Sequence, residues 1–187
     1  MIFEPLNVSG AWLVSQERFE DERGYFARTW CSEEFAAQGL EAELVQCSVS
    51  FNRQRGTLRG MHFQHSPFGE VKLVRCTRGA IFDVIVDVRR GSSTFLQYAG
   101  VELTEQNGRA LYIPKGFAHG FLTLEDDSEV FYQMSNVYEP SAAAGFRYDD
   151  PAFAIRWPAK VVVVKDRDAE YADFSIDAAY DDTSTAR

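Results

Sequence analysis

The chain is short of the residues that staple small secreted domains. Among 187 residues there are three cysteines, Cys31, Cys47 and Cys76, and six prolines. So sparse and odd a cysteine count excludes a disulfide framework and fits a reducing compartment. Positive charge is also scarce. Nineteen Lys plus Arg face 28 Asp plus Glu, for a formal charge of −9. A nucleic-acid or acidic-membrane binder carries the opposite sign, so neither partner is expected and any phosphate site must be local. No apolar run approaches the ~18 residues of a membrane span. The N-terminus, MIFEPLNVSG, has neither a basic nor an apolar region of the kind that directs secretion, so a cytoplasmic location is expected. What is plentiful is core material. Hydrophobic residues make up 45% and aromatics 14%, which excludes a disordered chain. At this size roughly 68–70% of the unfolded surface can be buried.

The chain shows no repeat, low-complexity tract or linker, so residues 1–187 read as one domain, with a polar tail at 181–187 expected to fray. Between Gly and Asn punctuation lie short β-branched and aromatic runs: Lys72–Cys76, Ala80–Val88, Leu111–Ile113, Val130–Gln133 and Val161–Val164. Many short strands with frequent turns predict an all-β sandwich or barrel. One helix is predicted near Ser32–Gln38, with Ser32 as its cap, Glu33 and Glu34 at its positive end, and Gly39 after it. Alternation along Ala80–Val88 puts Ala80, Phe82, Val84, Val86 and Val88 on one face, and Ile81, Asp83, Ile85 and Asp87 on the other. Two readings of the second face are open: solvated carboxylates on a half-exposed strand, or a polar wall of a barrel lumen.

Chemistry concentrates around two of the three histidines, His62, His65 and His119. Gly108, Pro114, Gly116 and His119 follow the spacing G-x5-P-x-G-x2-H, and Gly56, His62 and Gln64 follow G-x5-H-x-H with Gln at the last position. These spacings resemble the two motifs of the cupin superfamily, whose metal-binding members use three His and one Glu. Carried onto this chain, the ligand positions are His62, Gln64, Lys72 and His119. Lysine has no acceptor and Gln is a weak donor, so the set is a poor metal site. No metal or cofactor is expected. A base and a fixed cation are instead what proton removal beside a carbonyl needs, His taking the proton and Lys stabilising the enolate oxygen. His65 stands outside the pattern, beside Ser66-Pro67, and reads as a loop residue.

The resemblance narrows further. Asp21-Glu22-Arg23-Gly24-Tyr25-Phe26, Gly56-Thr57-Leu58-Arg59-Gly60-Met61-His62-Phe63-Gln64 and Lys72-Leu73-Val74-Arg75 are similar to dTDP-4-dehydrorhamnose 3,5-epimerases. So are Phe82 to Arg89, Ile113 to Phe121, Asp149-Asp150-Pro151 and Lys165-Asp166, all in family order. The resemblance implies a cupin double-stranded β-helix, a jelly-roll barrel with a few short helices, acting without a cofactor on a nucleotide sugar as a homodimer. It implies His62 as general base, oriented by Asp166, because a carboxylate fixes the tautomer and supports the imidazolium. Lys72 would stabilise the enolate, and Tyr132 would return a proton on the opposite face of the ring. Arg59 and His119 would line the sugar pocket, Arg23 would contact the diphosphate, and Phe26 and Tyr138 would sandwich the base. Gln46 and Ser48 fall in the family's Q-x-N-x-S segment, near the substrate. Arg23 also reads as an ordinary surface charge, and Tyr132 and Tyr138 as packing aromatics.

Three departures bear on substrate identity: Ser48 replaces Asn, Val163 replaces the Ser of an S-x-K-D segment, and Arg28 stands where well-known members carry Glu. Other readings are a C3-only or C5-only epimerase, a ketoisomerase or an enzyme using a CDP-sugar, a metal cupin, and a carbohydrate-binding cupin. One conflict is internal. Arg59 and His62 are three apart, so an unbroken strand would point them to opposite faces. A bulge at Gly60 would bring them together.

Overall fold

The computed structural model describes residues 1–182; most of the expected frayed tail, residues 183–187, lies outside the described residues. In chain order its strands are β1 (Ile2–Pro5), β2 (Trp12–Ser15), β3 (Arg18–Asp21), β4 (Gly24–Ala27), β5 (Gln46–Asn52), β6 (Leu58–Gln64) and β7 (Lys72–Arg78). They continue with β8 (Ala80–Asp87), β9 (Tyr98–Thr104), β10 (Ala110–Ile113), β11 (Phe117–Thr123), β12 (Ser128–Met134) and β13 (Ala143–Gly145). Helices are short: α1 (Ser32–Ala37) and α2 (Asp166–Ala169). One sheet has the order β1-β2-β10-β7-β12-β5, and a second has β13-β6-β11-β8-β9. All their pairings are antiparallel. This is the all-β cupin architecture expected.

Strand alternation sorts the side chains into three layers. Between the sheets, Val74, Cys76, Leu111, Ile113 and Val130 of the first meet Ile81, Ile85, Leu103, Phe117 and Phe121 of the second. Behind the second sheet lie Met61, Phe63, Val84, Val86 and Phe146. Outside the first, Val14, Leu73, Ala110 and Tyr112 are covered by Phe35 of α1. The parity of the central layer fixes what else enters the lumen. His62 and Gln64, Lys72, Asp83, His119 and Tyr132 all share phase with it. The lumen reading of Asp83 therefore holds, and Asp83 is fully buried.

Two local expectations need correction. The cap of α1 is Cys31, with no side-chain hydrogen bond; Ser32 is already inside the helix. Gly39, with φ of +71°, follows the helix as expected. Val161–Val164 forms no strand: it makes a single parallel bridge between Val163 and Thr57, and Val162 and Val163 are exposed. A β-branched run without a second strand beside it has no ladder to join. The β3–β4 hairpin pairs only with itself, and Phe19, Tyr25 and Phe26 stand exposed on it.

Candidate active site

The lumen opens into a cavity of about 680 Å³, a volume suited to a small organic ligand. Its walls include Ser48, Arg59, His62, Gln64, Lys72, His119, Tyr132 and Tyr138. Eight of the sequence-derived positions thus converge.

His62 and Arg59 reach it together because the ladder between β6 and β11 slips. Phe121 faces Arg59 and His119 faces His62, so three steps on β6 oppose two on β11. The extra residue rotates one side chain back to the lumen. Gly60 takes a φ of +142°, and a Cβ there would lie 2.4 Å from the Cα of Gly120. Only glycine fits both the angle and the approach.

His62 Nε2 lies 2.8 Å from Asp168 Oδ1, and the other oxygen of Asp168 accepts the Gly60 N–H at 3.4 Å. The carboxylate partner of His62 is therefore Asp168, not Asp166. Asp166 opens α2 and is exposed, whereas Asp168 is buried. Two residues on a helix are about 200° apart, so only one of this pair can face His62. Burial works to raise the Asp168 carboxyl, but the His62 hydrogen bond and charge, the Gly60 N–H and Arg167 outweigh it and hold it below the ordinary aspartate range. The Nε2 hydrogen donated to this carboxylate leaves Nδ1 with the basic lone pair.

Across the lumen, Lys72 Nζ lies 3.0 Å from Glu70 Oε1 and donates to the His62 carbonyl at 3.4 Å. Gln64 is engaged at both ends, donating to Glu70 Oε2 and accepting the Glu139 N–H. Arg59 Nε donates to Asn52 Oδ1 at 2.8 Å, which fixes its side chain. His119 Nε2 lies 2.6 Å from Asp83 Oδ1, and its ring packs edge-on against Tyr132 at 5.9 Å. Burial drives the Tyr132 phenol well above the usual tyrosine range, and the Asp83 charge adds to this against an opposing Arg59. The phenol is thus kept protonated. Among the described residues, no three His, Cys, Asp or Glu side chains are grouped to hold a metal ion.

Besides Asp166, three sequence-derived positions lie outside the cavity lining. Gln46 stands beside the site, its Oε1 accepting the Tyr138 N–H. Arg23 and Phe26 are on the β3–β4 hairpin, outside the cavity of their own chain; Arg23 ion-pairs with Asp21 and Phe26 is 74% exposed. His65, expected in a loop, is there, packed edge-on against Phe63. Sequence reasoning missed Asp168, Arg167, Glu70 and Tyr171. No local pattern marks them: Asp168, Arg167 and Tyr171 meet His62 from the far end of the chain, and Glu70 meets Lys72 and Gln64 only through the turn before β7.

A family model described as dTDP-4-dehydrorhamnose 3,5-epimerase matches residues 5–175. A protein of that name from Sinorhizobium fredii is 44% identical over 158 residues, covering 84% of this chain and 81% of the relative. The crystal structure of the dTDP-4-dehydrorhamnose 3,5-epimerase from Elizabethkingia anophelis superposes with a TM-score of 0.92 at 31% identity, covering 96% of this chain and 99% of that one. The Bacillus anthracis enzyme of the same name, solved with TDP and PPi bound, gives 0.89 at 36% identity, covering 92% and 99%. With the family model spanning residues 5–175 and these relatives covering most of the chain, the chain belongs to the dTDP-4-dehydrorhamnose 3,5-epimerase family.

Proposed function

We propose that this protein is a metal-free epimerase that converts dTDP-4-dehydro-6-deoxy-D-glucose to dTDP-4-dehydro-L-rhamnose by moving protons at C3 and C5. The observation that carries the reading is the placement of base and acid on opposite sheets. His62 enters the cavity from β6 of one sheet, while Tyr132 and Lys72 enter from β12 and β7 of the other. Inversion at carbon requires removal of a proton from one face of the ring and return to the other.

The C4 ketone acidifies the hydrogens on C3 and C5. His62 takes one through Nδ1, with Asp168 supporting the imidazolium. Electron density moves to the ketone oxygen, where the Lys72 ammonium stabilises the enolate. The Tyr132 phenol donates on the opposite face. Arg59 and His119 hold the sugar end, with Ser48, Gln46 and Tyr138 toward the nucleotide.

Arg23 and Phe26 lie outside the lining of the cavity of their own chain. We assign them to the site of a second copy in a homodimer, the hairpin reaching across with an arginine fork for the diphosphate and an aromatic ring for the base. Three free thiols, Cys31, Cys47 and Cys76, accord with a cytoplasmic setting.

The test is incubation with dTDP-4-keto-6-deoxyglucose in deuterated water, with C3 and C5 read by NMR. Wild type incorporates deuterium with inversion. Tyr132→Phe keeps the base and the enolate stabiliser, so it exchanges deuterium while largely retaining configuration. Inversion at the wild-type rate in Tyr132→Phe would remove the acid assignment, and absence of exchange in wild type would remove the reaction.

A further inference from the structure

Arg167 has no part in the mechanism above, yet it lies against the base. Its Nη2 is 3.4 Å from His62 Nε2, and its Nε is 3.4 Å from Asp168 Oδ1. The Nε2 hydrogen is committed to Asp168, so this nitrogen offers the guanidinium no acceptor. What Arg167 brings to His62 is charge. Consecutive residues of α2 thus present the imidazole with opposite signs: Asp168 favours the imidazolium and Arg167 disfavours it.

We infer that Arg167 is a positioning residue that sets the proton affinity of His62, countering Asp168 so that the imidazole remains a free base to lower pH. This rests on His62 acting as the base. The other charged and titratable groups around His62 leave the assignment to Arg167. From β7, Lys72 is paired with Glu70 at 3.0 Å. From β11, His119 is tied to Asp83 at 2.6 Å. On β6 itself, Arg59 is held by Asn52. Tyr171, just beyond α2, presents its ring edge at 6.1 Å. The β13 segment Ala143–Gly145 contributes no titratable group. Tyr171, Tyr138 and Asp168 face Arg167 itself, so the charge-keeping Arg167→Lys is what separates its charge from changes in their packing.

A unit charge at 3.4 Å in a water-like medium shifts a titration by roughly one pH unit, and the solvent-exposed guanidinium calls for that high-dielectric figure. In Arg167→Gln, the acid limb of kcat/KM should move up by about that amount. Arg167→Lys keeps the charge and should restore the limb. Independently of any substrate, the His62 imidazole followed by NMR should titrate at higher pH in Arg167→Gln than in wild type. With only three histidines, its signal is assignable by single replacements. Coincident imidazole titrations in wild type and Arg167→Gln would overturn the inference, as would Arg167→Lys behaving like Arg167→Gln. Absence of deuterium exchange in wild type would instead overturn the proposed reaction, and the imidazole titration would still decide the coupling.

Discussion

Two histidine–aspartate pairs face each other across one ladder, His62 with Asp168 and His119 with Asp83. The histidines are direct cross-strand neighbours. Their contacts are similar, at 2.8 and 2.6 Å. Their surroundings are not: the His62 side chain is 31% exposed and that of His119 is 5%. A base must reach its substrate and later release its proton, for which the first pair is the more open. The second is more enclosed, His119 meeting the cavity only at its wall, and Asp83 Oδ2 has no hydrogen-bond partner. That enclosed oxygen's charge helps keep the Tyr132 phenol protonated. Under the proposed mechanism, two pairs of the same chemistry take the roles of base and support, and access is what differs between them.

The most severe way to test this division is His62→Ala, which should lower deuterium exchange at C3 and C5 by ~10²–10⁴-fold. His119→Ala should weaken nucleotide-sugar binding more than exchange at saturation. Equal losses of exchange would erase the distinction between the pairs. Lys72→Met, which preserves the length of the stem, should cost ~10²–10³ in kcat with little change in substrate binding. Lost binding with intact turnover would make Lys72 a phosphate contact. Asp168→Asn should slow exchange less than His62→Ala, while Asp166→Asn should match wild type. The reverse ranking would return the orienting role to Asp166.

The smallest effect is on stability. The Asp168 carboxyl is depressed in the folded state, so its contribution is present above the unfolded value near ~4 and is lost as pH falls through the lower folded value. Acid unfolding of Asp168→Asn should therefore show a shallower pH dependence than wild type in that window. Parallel profiles would mean that the His62 contact does not stabilise the carboxylate.

Side chains governed by strand parity were legible in the sequence. His62, Lys72 and His119 follow from motif spacing, Tyr132 only from the family resemblance, and the alternation of Ala80–Val88 offered the lumen as one of two readings for Asp83. The slip at Gly60 was foreseeable because Arg59 and His62 conflict on a regular strand. Asp168 was not, since Asp166 and Asp168 differ only in which faces inward, a matter of where α2 docks. Nor was the pairing of Lys72 with Glu70, which depends on the turn before β7. Arg23 and Phe26 were expected at the substrate but lie outside the cavity lining of their own chain, because a linear pattern does not say where a hairpin projects.

The approach of Gly60 to Gly120 also shapes how the protein can be repaired. At Gly100, the atoms nearest an added methyl all belong to the Phe82 ring, so shrinking Phe82 is an available second-site suppressor of Gly100→Ala. At Gly60 the obstacle is the backbone of a residue that already has no side chain. Selection for revertants of Gly60→Ala should therefore recover glycine at position 60 itself and no change at position 120, because nothing remains there to remove.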